Sequence, residues 1–178
     1  EMPHHCADRT VLGILNRDGV FAEYVTLPEA NLHVVPDALR TETAVFTEPV
    51  AAAFRITEQI AITPEDRVVV MGDGKLGQLI AQVLALTTKK VTCVGKHKRK
   101  LRLLDQAGIG TALIDADIED GVDVVVEATG SPAGFQRALE LVRPEGTVVL
   151  KTTVAGRTEL DFSLPVINEV RIVGSRCG

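Results

Sequence analysis

Residues 67–77 read Arg-Val-Val-Val-Met-Gly-Asp-Gly-Lys-Leu-Gly and contain the pattern Gly-x-Gly-x-x-Gly at Gly72, Gly74 and Gly77. The apolar, β-branched residues before the first glycine are typical of a strand buried on both faces of a parallel sheet. After the first two glycines, apolar residues recur at the spacing of one helical face, at positions 76, 79, 80, 83 and 84. The stretch therefore predicts a strand, a tight glycine-rich turn and a helix.

Strands and helices continue to alternate after this turn. The predicted strands are residues 67–71, 91–94, 111–114, 123–126, 147–150 and 171–173. One predicted helix ends at Gly108, and another begins at the Ser131-Pro132 pair and ends before Pro144 and Gly146. Six strands with helical crossovers predict an α/β fold with a doubly wound, six-stranded parallel sheet of the Rossmann type.

Each glycine of the turn has a physical task in binding a dinucleotide. Gly72 allows the tight turn, Gly74 lets the backbone approach a pyrophosphate, and Gly77 lets helix and strand pack closely. The helix that begins near Lys75 and Leu76 offers N–H groups and a partial positive charge to phosphates. We therefore predict a nicotinamide dinucleotide at this turn, the alternative being an ordinary glycine-rich connection.

The end of the second predicted strand bears on the choice of dinucleotide. An Asp or Glu there accepts hydrogen bonds from the ribose hydroxyls and repels a 2′-phosphate, but this chain has Gly95 at that place. Lys96 and His97 follow, and then Lys98 to Lys100. Cations stabilise a 2′-phosphate on the ribose, and Gly95 provides no carboxylate to repel it. This pattern favours NADP as the cofactor, with NAD as the alternative. Lys96 and His97 are the predicted phosphate contacts, although a solvated basic helix start would give the same sequence.

Small residues follow two later strands. Glu127-Ala128-Thr129-Gly130 comes after the fourth strand and Lys151-Thr152-Thr153 after the fifth. Ligands of open α/β sheets bind at the carboxyl ends of the strands. Ala128, Thr129 and Thr152 are therefore candidate cofactor contacts, and a plain strand-to-loop transition is the alternative.

Composition narrows the class of protein. With 178 residues and 46% hydrophobic content the chain is long enough for one good core. A net charge of −5 argues against nucleic acid or an anionic membrane as partner, and the apolar runs are too short to span a bilayer. Three scattered cysteines do not suggest a disulfide framework, and Cys93 in an apolar strand is predicted to be a core thiol. We expect a cytoplasmic protein.

The amino-terminal part differs from the rest. Residues 20–27 and 32–35 are predicted to be short strands of a small sheet, and residues 43–60 a helix with Pro49 near its beginning. We place the domain boundary between residues 40 and 41, with the Rossmann domain at 41–178. Because the chain opens within an apparent loop and closes directly after a strand, at Gly178, we expect a piece of a longer protein.

Several motifs together resemble the medium-chain, zinc-containing alcohol and polyol dehydrogenases. They are residues 18–25 (Asp-Gly-Val-Phe-Ala-Glu-Tyr-Val), 34–37 (Val-Val-Pro-Asp), 46–49 (Phe-Thr-Glu-Pro), 126–130 (Val-Glu-Ala-Thr-Gly) and 174–176 (Gly-Ser-Arg). The resemblance covers nearly the whole chain. It implies that residues 1–40 are a β-rich remnant of a GroES-like catalytic domain. It also implies reversible oxidation of a small alcohol or polyol, in which zinc polarises the oxygen while hydride passes to the nicotinamide.

The resemblance also implies metal ligands, most of which this chain lacks. The family holds its catalytic zinc with a Cys and a Gly-His-Glu element, and neither is present here. Glu48 matches a zinc-ligand position of polyol dehydrogenases, with a helix-start carboxylate as the alternative. Cys6 matches the last of four cysteines of the structural zinc lobe. We expect the chain alone to bind no zinc and to bind dinucleotide with little or no turnover.

Two other functions stay open at this point. A zinc-independent quinone or enoyl reductase of the same superfamily is one, although Glu48 and Cys6 favour the zinc branch. A non-catalytic dinucleotide-sensing domain is the other. The family further suggests a homo-oligomer through the last strand, residues 171–173, because an edge strand has unpaired backbone groups that favour a partner.

Overall fold

A computed structural model describes residues 5–153 and 161–176. The chain divides into two compact units, Glu1–Val45 and Phe46–Gly178, a few residues beyond the boundary predicted from the sequence. None of the described helices has the length and apolarity needed to cross a bilayer.

The first unit contains little regular structure in its described part. A 3₁₀ helix spans Glu29–Asn31, helix α1 spans Thr41–Ala44, and one isolated antiparallel bridge joins Val11 to Leu15. The strands predicted at residues 20–27 and 32–35 are wrong: neither segment is extended in a ladder. A strand needs a neighbouring backbone, and within these residues hydrogen bonds are local, as from the Ala22 N–H to the Val20 carbonyl. The expected β-rich character is therefore absent from the described part of this unit.

The second unit alternates strands and helices. Its helices are α2 (Thr47–Gln59), α3 (Lys75–Leu84), α4 (Lys98–Gln106), α5 (Pro132–Leu141) and α6 (Ser163–Ile167). Its strands are β1 (Val68–Met71), β2 (Val91–Gly95), β3 (Gly110–Leu113), β4 (Val122–Glu127), β5 (Val142–Leu150) and β6 (Arg171–Gly174). Within the described residues these strands form one parallel sheet in the order β3-β2-β1-β4-β5-β6. This order confirms the Rossmann-type, doubly wound sheet.

Helices cover both faces of the sheet. Val68 and Val70 of β1 face a cluster that includes Ile56 of α2 and Ile80 of α3, whereas Val69 and Met71 face a cluster with Leu139 of α5. All four residues of β1 are buried, as expected for a central parallel strand. Cys93 is fully buried in the first cluster, which confirms it as a core thiol.

One helix and one strand differ from the sequence-based prediction by more than a residue or two at an end. The helix predicted at 43–60 is split into α1 and α2 around Val45 and Phe46, with Pro49 in the first turn of α2. The fifth strand begins at Val142 rather than residue 147, because Val142 already pairs with Val122, ahead of an irregularity in the ladder. Helix α5 ends earlier for the same reason.

Candidate functional site

A cavity of about 260 Å³ lies at the carboxyl ends of β1, β2 and β4. Six residues predicted as cofactor contacts line it: Gly72, Gly74, Gly95, Lys96, Ala128 and Thr129. Asp73, Val94, Ile114 and Ser131 complete the lining. The strand order reverses between β1 and β4, and ligands of open α/β sheets bind outside the carboxyl ends of strands at such a point. The fold thus brings the predicted residues together at the edge where a ligand is expected.

The glycine-rich turn leaves no room for side chains at two of its positions. Gly72 has a φ of +120°, and a Cβ there would lie 2.7 Å from the Ala128 carbonyl oxygen. A Cβ on Gly77 would lie 2.0 Å from the Gly72 carbonyl oxygen. Gly74 differs, because a Cβ there would meet nothing within 4 Å. Gly72 and Gly77 are required by the fold itself, whereas Gly74 leaves open space beside the cavity.

Helix α3 starts directly after this turn and presents its amino end. Gly74 is its N-cap and provides no side-chain hydrogen bond to the helix start. The N–H of Gln78 donates to the Gly74 carbonyl, so the N–H groups of Lys75, Leu76 and Gly77 precede the helix's own ladder. Backbone donors at a helix start, next to an open glycine, form a cradle that fits a pyrophosphate.

Asp73 is a site residue that the sequence analysis missed. It is only 7% exposed, and its carboxylate accepts hydrogen bonds from the His97 backbone N–H at 2.6 Å and pairs with the His97 Nδ1 at 2.9 Å. Lys100 Nζ lies 3.8 Å from the other carboxylate oxygen. Burial acts to raise the pKa of Asp73, but the His97 hydrogen bonds and the nearby His97 and Lys100 charges outweigh it and hold the pKa below its usual value. A fixed negative charge therefore lies within the basic segment.

The two predicted phosphate contacts have different surroundings. Lys96 lines the cavity. His97 is the N-cap residue of α4, and its ring, 57% exposed, is held through Nδ1 by Asp73. Among the described residues, His97 is thus paired with Asp73, whereas Lys96 is the cation that lines the cavity.

A buried carboxylate organises the loop after β4. Glu127 is 2% exposed and accepts hydrogen bonds from the Thr129 N–H at 2.6 Å, the Gly130 N–H at 3.2 Å and the Thr129 hydroxyl. Thr152, at the end of β5, donates its hydroxyl to the other Glu127 oxygen at 2.8 Å. Thr152 thus supports the loop at Thr129 through Glu127 and is not in the lining of the 260 Å³ cavity.

A second cavity, of about 720 Å³, lies between α2 and α3. Lys75 and Leu76, two predicted cofactor contacts, line it together with Glu48 and Arg176. The remaining lining residues have apolar or amide side chains: Phe46, Pro49, Ala52, Gln78, Leu79, Gln82 and Leu103. A further cavity of about 510 Å³, next to Arg67 and Lys90, lies at the amino ends of the strands, the wrong edge for a Rossmann ligand.

Among the described residues, the two predicted zinc ligands are not part of a group that could hold a metal ion. Within residues 5–153 and 161–176, no three His, Cys, Asp or Glu side chains are grouped in a way that could hold a metal ion. Cys6, in the first unit, is an exposed free cysteine, and Glu48, in the second unit, lines the 720 Å³ cavity. The described residues therefore do not complete a zinc site by themselves, and the assignments of Glu48 and Cys6 as ligands stay predictions.

Comparison with known proteins places these features in a family. Residues 76–178 match the family model described as zinc-binding dehydrogenase. Sorbitol dehydrogenase of Halalkalibacterium halodurans is 30% identical over an alignment of 186 positions that covers 96% of this chain and 54% of that protein. Erythritol/L-threitol dehydrogenase of Mycolicibacterium smegmatis is 30% identical over an alignment of 190 positions that covers 98% of this chain and 52% of that protein. The chain spans about half the length of these curated relatives.

Two solved structures share the fold and hold different cofactors. A Sinorhizobium meliloti protein bound to NADP is 27% identical with a TM-score of 0.83, covering 92% of this chain and 53% of that one. A short chain alcohol dehydrogenase from Escherichia coli in complex with NADH is 26% identical with a TM-score of 0.85, covering 96% of this chain and 54% of that one.

Proposed function

This chain belongs to the zinc-binding dehydrogenase family, and we propose that it forms the dinucleotide-binding part of a zinc-dependent alcohol or polyol dehydrogenase. The observation that carries the proposal is the glycine-rich turn, because its Gly72 and Gly74 line the carboxyl-end cavity and Gly74 is also the N-cap of α3. The names of the sorbitol and erythritol/L-threitol dehydrogenase relatives support a polyol as the substrate class of the whole protein.

Different residues at and beside the cavity would bind different parts of the dinucleotide. Gly74, which lines the cavity, leaves the approach open, and the N–H groups of Lys75, Leu76 and Gly77 at the start of α3 would donate to the pyrophosphate. Ala128 and Thr129 line the side of the cavity formed by β4, where Glu127 fixes the loop. The bound nicotinamide would supply hydride transfer, and the chain's residues orient it.

We further propose NADP(H) as the preferred cofactor, with NAD(H) as the alternative. Gly95 supplies no side chain at the end of β2, and Lys96 faces the cavity as a cation for a 2′-phosphate. The NADP-bound structure of the Sinorhizobium meliloti protein supports this choice, and the NADH complex of the Escherichia coli protein supports the alternative.

The zinc requirement, the assembly and the location are proposals for the whole protein. Glu48 is the catalytic-zinc ligand this chain would contribute, and Cys6 the structural one. Strand β6 (Arg171–Gly174) forms an edge of the sheet, which supports a homo-oligomer through this strand. The cytoplasmic location and the absence of nucleic-acid and membrane partners stay predictions of the sequence.

Calorimetric titration of the purified chain with NADPH and NADH tests the proposal. We expect saturable binding of both, tighter for NADPH, and no binding of nicotinamide mononucleotide, which lacks the pyrophosphate and the adenosine. An absence of saturable binding of both dinucleotides would contradict the proposed function. The chain alone is expected to oxidise sorbitol little or not at all, and robust turnover would contradict that part.

A further inference from the structure

Asp73 lies in the space that a side chain at position 95 would fill. A Cβ built on Gly95 would lie 2.4 Å from the Asp73 Cβ and 2.6 Å from both Cγ and Oδ2 of Asp73. These are the three atoms nearest to that Cβ, and all belong to Asp73. The carboxylate missing at the end of β2 is therefore replaced, in space, by a carboxylate from the glycine-rich turn.

The register of the sheet produces this replacement. Strands β1 and β2 are parallel, with Met71 opposite Val94, so the residues that follow each strand are neighbours. Gly95 has no side chain, and the Asp73 side chain packs over it next to the cavity. A larger residue at 95 would displace Asp73, whereas glycine accommodates it.

The carboxylate is held in one place by its partners. The backbone N–H and the ring of His97 fix one oxygen, and Lys100 lies near the other. Asp73 is also part of the cavity lining, on the side shared with Gly95 and Lys96. A negative charge and the Lys96 cation are thus present together where the adenosine ribose is expected.

We propose that Asp73 is a specificity-determining residue that senses the 2′ position of the adenosine ribose and limits the selectivity for NADP(H). This inference rests on the proposed function. A ribose hydroxyl can donate a hydrogen bond to the carboxylate, whereas a 2′-phosphate brings a like charge next to it. Lys96 acts in the opposite direction, by attracting the phosphate. The site therefore accepts both dinucleotides. Its preference for NADP(H) is weaker than it would be with Gly95 and Lys96 but without Asp73.

Asp73→Asn tests the inference, with the ratio of the NADH to the NADPH dissociation constant as the measured quantity. The amide keeps an oxygen for the His97 N–H but removes the charge. We expect the ratio to rise about tenfold, mostly through tighter NADPH binding. Asp120→Asn is the matched control, since Asp120 is exposed and lies just before β4, at the opposite edge of the sheet. It removes the same charge and is expected to leave the ratio unchanged.

A relocation variant separates charge from folding effects. Asp73→Gly alone is expected to raise the ratio as Asp73→Asn does. Asp73→Gly combined with Gly95→Asp returns a carboxylate to the same space and is expected to restore the ratio to within about threefold of the original. An unchanged ratio in Asp73→Asn, or an equal loss of both dinucleotides, would overturn the inference while leaving the proposed function intact. Failure of the original chain to bind either dinucleotide would overturn both.

Discussion

The hydroxyl of Thr152 donates a 2.8 Å hydrogen bond to the carboxylate of Glu127, which joins the end of β5 to the end of β4 beneath the candidate site. The other Glu127 oxygen accepts hydrogen bonds from the N–H groups of Thr129 and Gly130. One buried carboxylate thereby fixes the loop that lines the cavity. A Cβ on Gly134, at the start of α5, would lie 2.9 Å from this carboxylate, so the helix packs directly on it.

Replacing Glu127 by glutamine should loosen this loop. Glutamine has one acceptor oxygen instead of two, so its NH₂ group must face either the Thr152 hydroxyl or the N–H groups of Thr129 and Gly130. Losing these buried hydrogen bonds costs on the order of 1–3 kcal/mol. Urea denaturation of Glu127→Gln is therefore expected to show that loss in the free energy of unfolding, with weaker NADPH binding. Glu140→Gln is the control, because Glu140 is in an exposed ion pair with Arg137, for which the loss should stay below about 1 kcal/mol. Equal losses in the two variants would contradict the organising role of Glu127.

Gly74 and Gly77 should respond differently to replacement by alanine. Gly77→Ala places a methyl group against the Gly72 carbonyl, so the turn must shift and the chain should lose several degrees of melting temperature. Gly74→Ala meets open space at a φ of −70°, so the melting temperature should be unchanged or slightly higher. Its methyl group would obstruct the approach of a pyrophosphate, so NADPH binding should still weaken. Unchanged NADPH affinity in a stable Gly74→Ala chain would contradict the role given to this position.

Asp123 gives the fold a defined pH dependence at the opposite edge of the sheet. It accepts the Arg67 N–H at 2.8 Å and the Arg143 Nε at 2.7 Å. Burial acts to raise the pKa of Asp123, but the hydrogen bonds from Arg143 and Arg67 outweigh it and lower the pKa below its usual value. Because the pKa is lowered in the folded state, the stability that Asp123 contributes is fully present above its unfolded pKa of about 3.9. It is lost as the pH falls through the folded pKa.

The corresponding variant is Asp123→Asn. At pH 7 it should be less stable than the original chain by about 1–2 kcal/mol, because one charged acceptor is lost. The difference should shrink as the pH falls below about 4, where the original carboxylate becomes protonated. Chemical denaturation at both pH values measures it, and Asp120→Asn, at an exposed carboxylate, should show little difference at either. A difference in the free energy of unfolding that grows as the pH falls would contradict the lowered pKa of Asp123.

Cys93 should be unreactive in the folded chain. Burial, and then the nearby charge of Asp73, raise the pKa of its thiol to about 12. The reactive species is the thiolate, so iodoacetamide at pH 8 should label the exposed Cys6 and spare Cys93 until urea is added. Peptide mass spectrometry reports both sites. Labelling of Cys93 at the rate of Cys6 in the native chain would contradict its burial.

The sequence predicted the sheet because its signal is local. Apolar runs bounded by turn residues identified β1 to β4 within one or two residues, and Ser131 caps α5 as expected by accepting the Gly134 N–H. The strands predicted in the first unit are wrong because they also rest on a local signal alone. Alternation predicts a strand only where a neighbouring backbone is present, and residues 20–27 have no ladder partner among the described residues.

Asp73 shows what local patterns do not contain. Its sequence position, between two glycines, indicated only a turn. Its placement over Gly95 follows from the pairing of β1 with β2 and from the missing side chain at position 95. Asp73 and Gly95 are 22 residues apart in the sequence, so no local pattern connects them. A glycine at position 95 predicts no negative charge at the end of β2, whereas the fold supplies that charge from Asp73.

Nitrogen-15 amide spectra of the chain during titration with NADPH show which backbone amides contact the dinucleotide. We expect the largest shifts at the amides of Gly74, Lys75, Leu76 and Gly77, with accompanying shifts at Lys96 and Thr129. Shifts confined to the opposite edge of the sheet, near Arg67 and Lys90, or no saturable shifts at all, would contradict a pyrophosphate site at the start of α3.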